Sequence, residues 1–126
     1  MVRISQKDYL DYLARREAEL ADDHPDTPDD GPESRLQGRI EEHCRKMGWY
    51  FFHDRSRAVN ERGFPDLVIA LPDSVTLWLE LKSAKGRMTP EQKRVMLILK
   101  ALGHHHYKVK AYSRYLRIIN EHTTRR

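Results

Sequence analysis

One cysteine, Cys44, stands in the whole chain. It excludes an internal disulfide, and without a second thiol no zinc knuckle can form, so its expected role is helix packing. Long apolar runs are missing too. None approaches the roughly 18 residues that a spanning helix needs, so no membrane segment is expected. The opening stretch "MVRISQKDYLDYLARREAEL" carries a charge every few residues where a secretory signal would carry its apolar core. A cytoplasmic protein is the expectation. No internal repeat is visible, and 126 residues suffice for one domain with a real core but not for two. The content of 39% hydrophobic and 33% charged residues, with a mean hydropathy of −0.80, describes a soluble chain.

What the chain does have is basic charge, unevenly placed. Residues 1–33 hold 4 Lys/Arg against 10 Asp/Glu, a net of −6, and residues 34–126 hold 19 against 9, a net of +10. A basic body suits a polyanionic partner, because Lys and Arg bound to phosphates release counterions and steer encounter at long range. Solvating charge scattered over the surface is the plainer alternative.

The apolar pattern predicts a helix over 4–20 with Tyr9, Tyr12, Leu13 and Leu20 on its stripe, then an acidic, Pro-rich linker over 21–32. A second helix of about 15 residues starts at Glu33 with Leu36, Ile40, Cys44 and Met47 inward, and stops at Gly48. "WYFF" (49–52) reads as a strand and "DLVIAL" (66–71) as a strand buried on both faces. A turn at 72–74 leads to the strand "VTLWLELK" (75–82). "TPEQKRVMLILKALG" is a helix with Thr89 as N-cap and Gly103 as C-cap, and with Val95, Leu97, Ile98, Leu99 and Leu102 for the core. "YKVKAY" (107–112) is a last strand, followed by a short helix and a frayed basic tail. The expected class is α/β: a small mixed sheet flanked by helices, with an extra helix at the N-terminus. Residues 1–32 form that helix and its linker, and 33–126 the domain.

Two acids and a lysine need a reason. Side chains alternate along a strand, so Glu80 and Lys82 share a face with Thr76 and Trp78 while Leu77, Leu79 and Leu81 take the other. If the turn at Pro72 pairs the two strands antiparallel, Asp66 at the mouth of the first comes beside Glu80 and Lys82 near the end of the second. Paired carboxylates suit Mg²⁺ or Mn²⁺, with phosphate and water completing the shell. A metal there would acidify a bound water and polarise a scissile phosphate, and Lys82 would hold that water or neutralise developing charge. The plain alternative is a solvated Glu80–Lys82 pair and a turn-capping Asp66, which explains each residue alone but not their joint spacing.

"PD" (65–66) and "ELK" (80–82), together with "ESRLQ" (33–37), "GFPD" (63–66) and "TPEQ" (89–92), resemble the virus-type replication-repair nuclease (VRR-NUC) domain of the PD-(D/E)XK nuclease superfamily. All four pieces stand in order, and the resemblance covers about residues 33–112. It implies a restriction-endonuclease-like fold and divalent-metal-dependent DNA cleavage with Mg²⁺ or Mn²⁺. Asp66, Glu80 and the Leu81 carbonyl would sit on the metal, Lys82 at the water, and Glu33 would be a further acid and possible ligand. Gln92 belongs to the implied catalytic set, although as third residue after Thr89 it also completes a capping box. Glu33 likewise gains from the helix dipole wherever it acts. Residues 1–32 lie outside the resemblance.

His53, Arg55, Arg57 and Arg62 precede "GFPD" on the side where the acids gather, and with Lys85 and Arg87 they are candidates to grip DNA phosphates. The triple "HHH" (104–106) reads as a loop, since adjacent extended residues point to alternate sides and cannot all reach one ion. The family's short stand-alone members suggest a structure-selective endonuclease on branched DNA such as four-way (Holliday) junctions, working in DNA repair as a homodimer on nucleoid or viral DNA. The alternatives are a nicking or restriction-type nuclease on duplex DNA, or a non-cleaving DNA-binding module. Retention of Asp66, Glu80 and Lys82 speaks against the last.

Overall fold

A computed structural model describes residues 5–7, 29–54 and 63–124. The expected helix over 4–20 lies outside the described residues except at Ser5–Lys7. Helix α1 (Glu33–Met47) is followed by strands β1 (Phe51–His53), β2 (Leu67–Leu71) and β3 (Val75–Leu81), helix α2 (Pro90–Ala101), strand β4 (His105–Val109) and helix α3 (Tyr112–Thr123). The four strands form one sheet in the order β1-β2-β3-β4. The first two pairings are antiparallel and the third is parallel. Because a parallel neighbour needs a crossover, α2 connects β3 to β4 over one face of the sheet.

The other face carries the core. Leu67, Ile69 and Leu71 of β2, Leu77, Leu79 and Leu81 of β3, and Val109 of β4 meet Leu36, Ile40 and Cys44 of α1 and Tyr115, Ile118 and Ile119 of α3. The period of two on the strands and of four along α1 produces this two-layer packing directly. Cys44 is fully buried, and its Sγ lies 3.6 Å from the Tyr115 hydroxyl. Helix α3 has no side-chain cap of its own at Ala111. Asp30, from before α1, supplies one by accepting the Tyr112 N–H at 2.7 Å.

Several expected boundaries shift for identifiable reasons. β1 begins at Phe51 rather than at Trp49, because the Gly48 N–H bonds the Arg45 carbonyl and the Trp49 N–H bonds that of Cys44, which commits both residues to ending α1. Met47 is 52% exposed, since the apolar stripe of α1 ends with Cys44. The expected strand over 107–112 starts two residues earlier: His105 and His106 pair with Leu77 and Trp78, so the histidine triple is partly strand and not a loop. Helix α2 stops at Ala101 with Leu102 as its cap, one residue before the left-handed Gly103. Leu102 lies past the helix end and is 69% exposed, and Met96 is the buried residue of α2 in place of the expected leucines. The tail is a 12-residue helix, held by its Tyr115, Ile118 and Ile119 stripe. Among the described residues no helix is long and apolar enough to cross a membrane.

Candidate active site

Leu67 pairs with Leu79 across β2 and β3, so the register sets Asp66 against Glu80. Asp66 is held there from three sides. Its Oδ2 accepts the Leu81 N–H at 2.9 Å, its carbonyl accepts the Asp54 N–H at 3.0 Å, and the "GFPD" turn before it packs closely on α2. Gly63 makes that last contact possible. It sits at φ +83°, and a Cβ there would lie 2.5 Å from the Glu91 carbonyl oxygen, inside any allowed contact. The glycine thus lets the loop carrying Asp66 touch the first turn of the helix carrying Gln92.

Glu80 is 1% exposed, on the sheet face beneath α2. Its Oε2 accepts the Gln92 Nε2–H at 2.7 Å and lies 3.6 Å from Lys82 Nζ. Its Oε1 is buried with no hydrogen-bond partner. Gln92 is itself fixed by the helix start: its Oε1 accepts the Thr89 N–H at 2.8 Å, and its own N–H bonds the Thr89 hydroxyl at 3.1 Å. The capping box and the contact with Glu80 use different atoms of Gln92, so one side chain makes both.

The electrostatics follow from the crowding of acids. Burial, reinforced by the adjoining Asp66 carboxyl, pushes the Glu80 carboxyl up to about 9 despite the opposing Lys82. Glu33, at the N-terminus of α1, is raised by partial burial and then by the charge of Asp66, again against Lys82. Glu33, Asp66, Glu80, Lys82 and Gln92 therefore belong to one electrostatic neighbourhood assembled from α1, β2, β3 and α2. Among the described residues, no three His, Cys, Asp or Glu side chains make a ready metal-holding group. Glu33 is thus electrically coupled to Asp66 without completing a three-acid cage. A cation on Asp66 and Glu80 would draw its remaining oxygens from the Leu81 carbonyl, water and phosphate, as Mg²⁺ commonly does.

The other candidates separate. Lys85 and Arg87 are exposed on the loop after β3, which a bond from Lys110 Nζ to the Ala84 carbonyl ties to the end of β4. His53 ends β1, while Arg55, Arg57 and Arg62 lie outside the described residues. His104, His105 and His106 diverge, as alternation requires. His104 faces Trp78, His105 packs on His122 of α3, and His106 is buried on the α2 side. Two residues escaped the sequence reading. Lys108 is the direct β4 partner of Glu80. Glu41, 5% exposed, accepts the Gln37 Nε2–H at 2.8 Å and an Arg45 hydrogen bond at 3.3 Å. Its signal was present in the four-residue spacing of Glu33, Gln37 and Glu41, which sets a polar row beside the apolar one on α1.

This sheet, its flanking helices and its acid pair define a restriction-endonuclease-like α/β fold. A solved structure described as a VRR_NUC domain matches it with a TM-score of 0.61 at 24% identity, over 73% of this chain and 97% of that chain. The chain thus has a VRR-NUC-like fold. No protein-family model matches the sequence, and no curated protein matches it.

Proposed function

We propose that the protein is a divalent-metal-dependent, structure-selective DNA endonuclease that cuts branched DNA such as four-way junctions. The observation that carries this reading is Glu80: a buried carboxylate set beside Asp66, anchored through one oxygen by Gln92 and presenting the other with no partner. The pocket keeps that carboxyl protonated while nothing positive is bound, and a cation there would stabilise its charged form. The donor set of two carboxylates and a carbonyl, with a lysine alongside, fits a hard cation. Asp66, Glu80 and the Leu81 carbonyl would hold Mg²⁺ or Mn²⁺, which when bound supplies Lewis-acid polarisation of phosphate and an acidified water. Lys82, 3.6 Å from Glu80, would orient the attacking water and offset charge developing on the phosphate. Gln92 keeps Glu80 in place. Glu33, coupled to Asp66, would be a further acid of the site. Lys85 and Arg87, with His53, Arg55, Arg57 and Arg62, would grip phosphates beside the cut, drawing on the +10 charge of residues 34–126. The VRR_NUC description of the matched structure is in accord with a nuclease acting on DNA. Paired cuts across a junction call for two sites related by a two-fold axis, so a homodimer is the expected species.

The deciding experiment is a panel of labelled DNA structures treated with purified protein of measured solution mass. We expect a species near twice the 15.0 kDa chain mass that cuts four-way junctions ahead of duplex, flaps and single strands, with Mg²⁺ or Mn²⁺ and not in chelator. Equal cutting of plain duplex would replace the junction reading with a restriction-type one. Full activity in chelator would overturn the metal chemistry.

A further inference from the structure

Gln37 and Glu41 of α1 form a polar row with His53, and the proposed reaction gives these two no role. Gln37 Nε2 lies 2.8 Å from Glu41 Oε2 and 2.9 Å from His53 Nδ1. The carboxylate of Glu41 accepts only, so it requires the NH₂ end of the Gln37 amide to face it. The same NH₂ then faces His53, and Nδ1 must accept. His53 Nδ1 and Glu41 Oε2 are 3.6 Å apart, too far to compete with the 2.9 Å contact to Gln37. The proton of the uncharged ring is thereby assigned to Nε2.

The place matters as much as the tautomer. His53 pairs with Leu67, and the next residue, Asp54, donates its N–H to the carbonyl of Asp66. Gln37 stands one helical turn after Glu33, on the same face of α1. The imidazole therefore lies on the α1 side of the sheet at the end of β1, one residue before the Asp54 N–H that bonds the Asp66 carbonyl. Its side chain is 16% exposed, and that of Glu41 only 7%.

We propose that His53 is a DNA-contacting residue that offers a fixed, uncharged Nε2–H to a phosphate oxygen beside the cut, and that Gln37 and Glu41 are positioning residues that set its tautomer and ring orientation. The phosphate half of this rests on the nuclease reading above. The tautomer half does not. An uncharged donor suits this spot because it adds a hydrogen bond next to the acids without competing with a cation for them.

Two measurements test it on the full chain. Nitrogen-15 NMR of the His53 ring should show an unprotonated Nδ1 and a protonated Nε2 in the wild type, and a mixture of tautomers in Gln37→Leu. A wild-type ring protonated at Nδ1 overturns the assignment whatever the protein does to DNA. In steady-state cutting of a junction with Mg²⁺, His53→Phe should raise KM about tenfold with kcat nearly unchanged, the mark of a lost contact made equally in ground and transition states. His53→Gln, whose amide N–H reaches the place of Nε2–H, should stay within about threefold of wild type. Gln37→Leu should resemble His53→Phe, and thermal unfolding of each variant separates misfolding from a lost contact. A fall in kcat alone, or equal kinetics for His53→Phe and wild type, overturns the phosphate contact while leaving the nuclease reading intact. A wild type that cuts no DNA defeats that reading and the phosphate contact together, and the NMR result then decides the tautomer on its own.

Discussion

Gln92 donates to Glu80 Oε2 at 2.7 Å with one end of its amide while the other end accepts the Thr89 N–H at 2.8 Å. A helix cap and a buried acid thus share one side chain, and the two roles can be separated by mutation. Thr89→Ala removes part of the cap and should cost about 1 kcal/mol of stability, leaving the rate of DNA cutting close to wild type. Gln92→Ala should cost a similar amount and also lower kcat at least tenfold, because Glu80 loses its anchor. Denaturant melts and single-turnover cutting of both variants check this. Equal activity loss in the two would mean that the cap alone matters.

Asp66→Asn keeps the shape of the pocket but removes half of its acid pair, and Lys82→Ala removes its ammonium. Each should reduce cutting by several orders of magnitude while DNA binding, which draws on the basic surface, stays within a few-fold. Gel-shift titration beside a cutting assay distinguishes the two effects.

His106 links stability to pH. The ring is 2% exposed and its Nδ1 is buried without a partner. Burial, with Lys100 nearby, lowers its pKa from 6.5 to about 4. Between those two values the unfolded chain binds the proton that the folded chain refuses. The contribution is therefore full above pH 6.5 and is lost as pH falls toward 4, up to roughly 3 kcal/mol. Urea unfolding at steps from pH 7.5 to 4.5 should show the decline, and His106→Leu should flatten the part of it that this ring causes.

Gly63→Ala should be far more damaging than an ordinary surface substitution. It forces a Cβ to within 2.5 Å of the Glu91 carbonyl oxygen at a φ of +83°. Either the loop or α2 must move, at a cost on the order of 2–4 kcal/mol. Because that contact joins the Asp66 loop to the Gln92 helix, cutting should fall even below the unfolding temperature. A thermal melt and an assay at low temperature test both parts.

Much of this was legible in the sequence because it rests on short-range rules. Alternation along β3 put Glu80 and Lys82 on the face opposite the three leucines, and the turn at Pro72 brought Asp66 back to them. What escaped depends on long-range packing. Whether Leu102 or Met96 is covered is decided by where α2 ends over the sheet, and helical periodicity alone does not fix that. The strand status of His105 and His106 comes from parallel pairing with β3, which leaves no local mark. Glu41 was hidden by its charge: an acid in a helix reads as solvated until a glutamine and an arginine are found holding it. The meeting of Asp66 with Glu80 was legible because strand register and a three-residue turn fix it locally.

The hairpin of β2 and β3 carries a consequence for how the pocket comes into being. Asp66 and Glu80 belong to one antiparallel unit closed by a turn of three residues, whereas Gln92 and Lys108 reach Glu80 only after α2 has crossed over and β4 has paired in parallel. Hairpins close in about 1–10 μs, and distant parallel pairings wait for a larger loss of chain entropy. The two acids meet early, still in water, and Glu80 is dehydrated only when the crossover helix settles on top of it. Burial of Glu80 is therefore expected late in folding, together with the arrival of Gln92. Pulse-labelled hydrogen exchange should find the β2–β3 amides protected before those of β4.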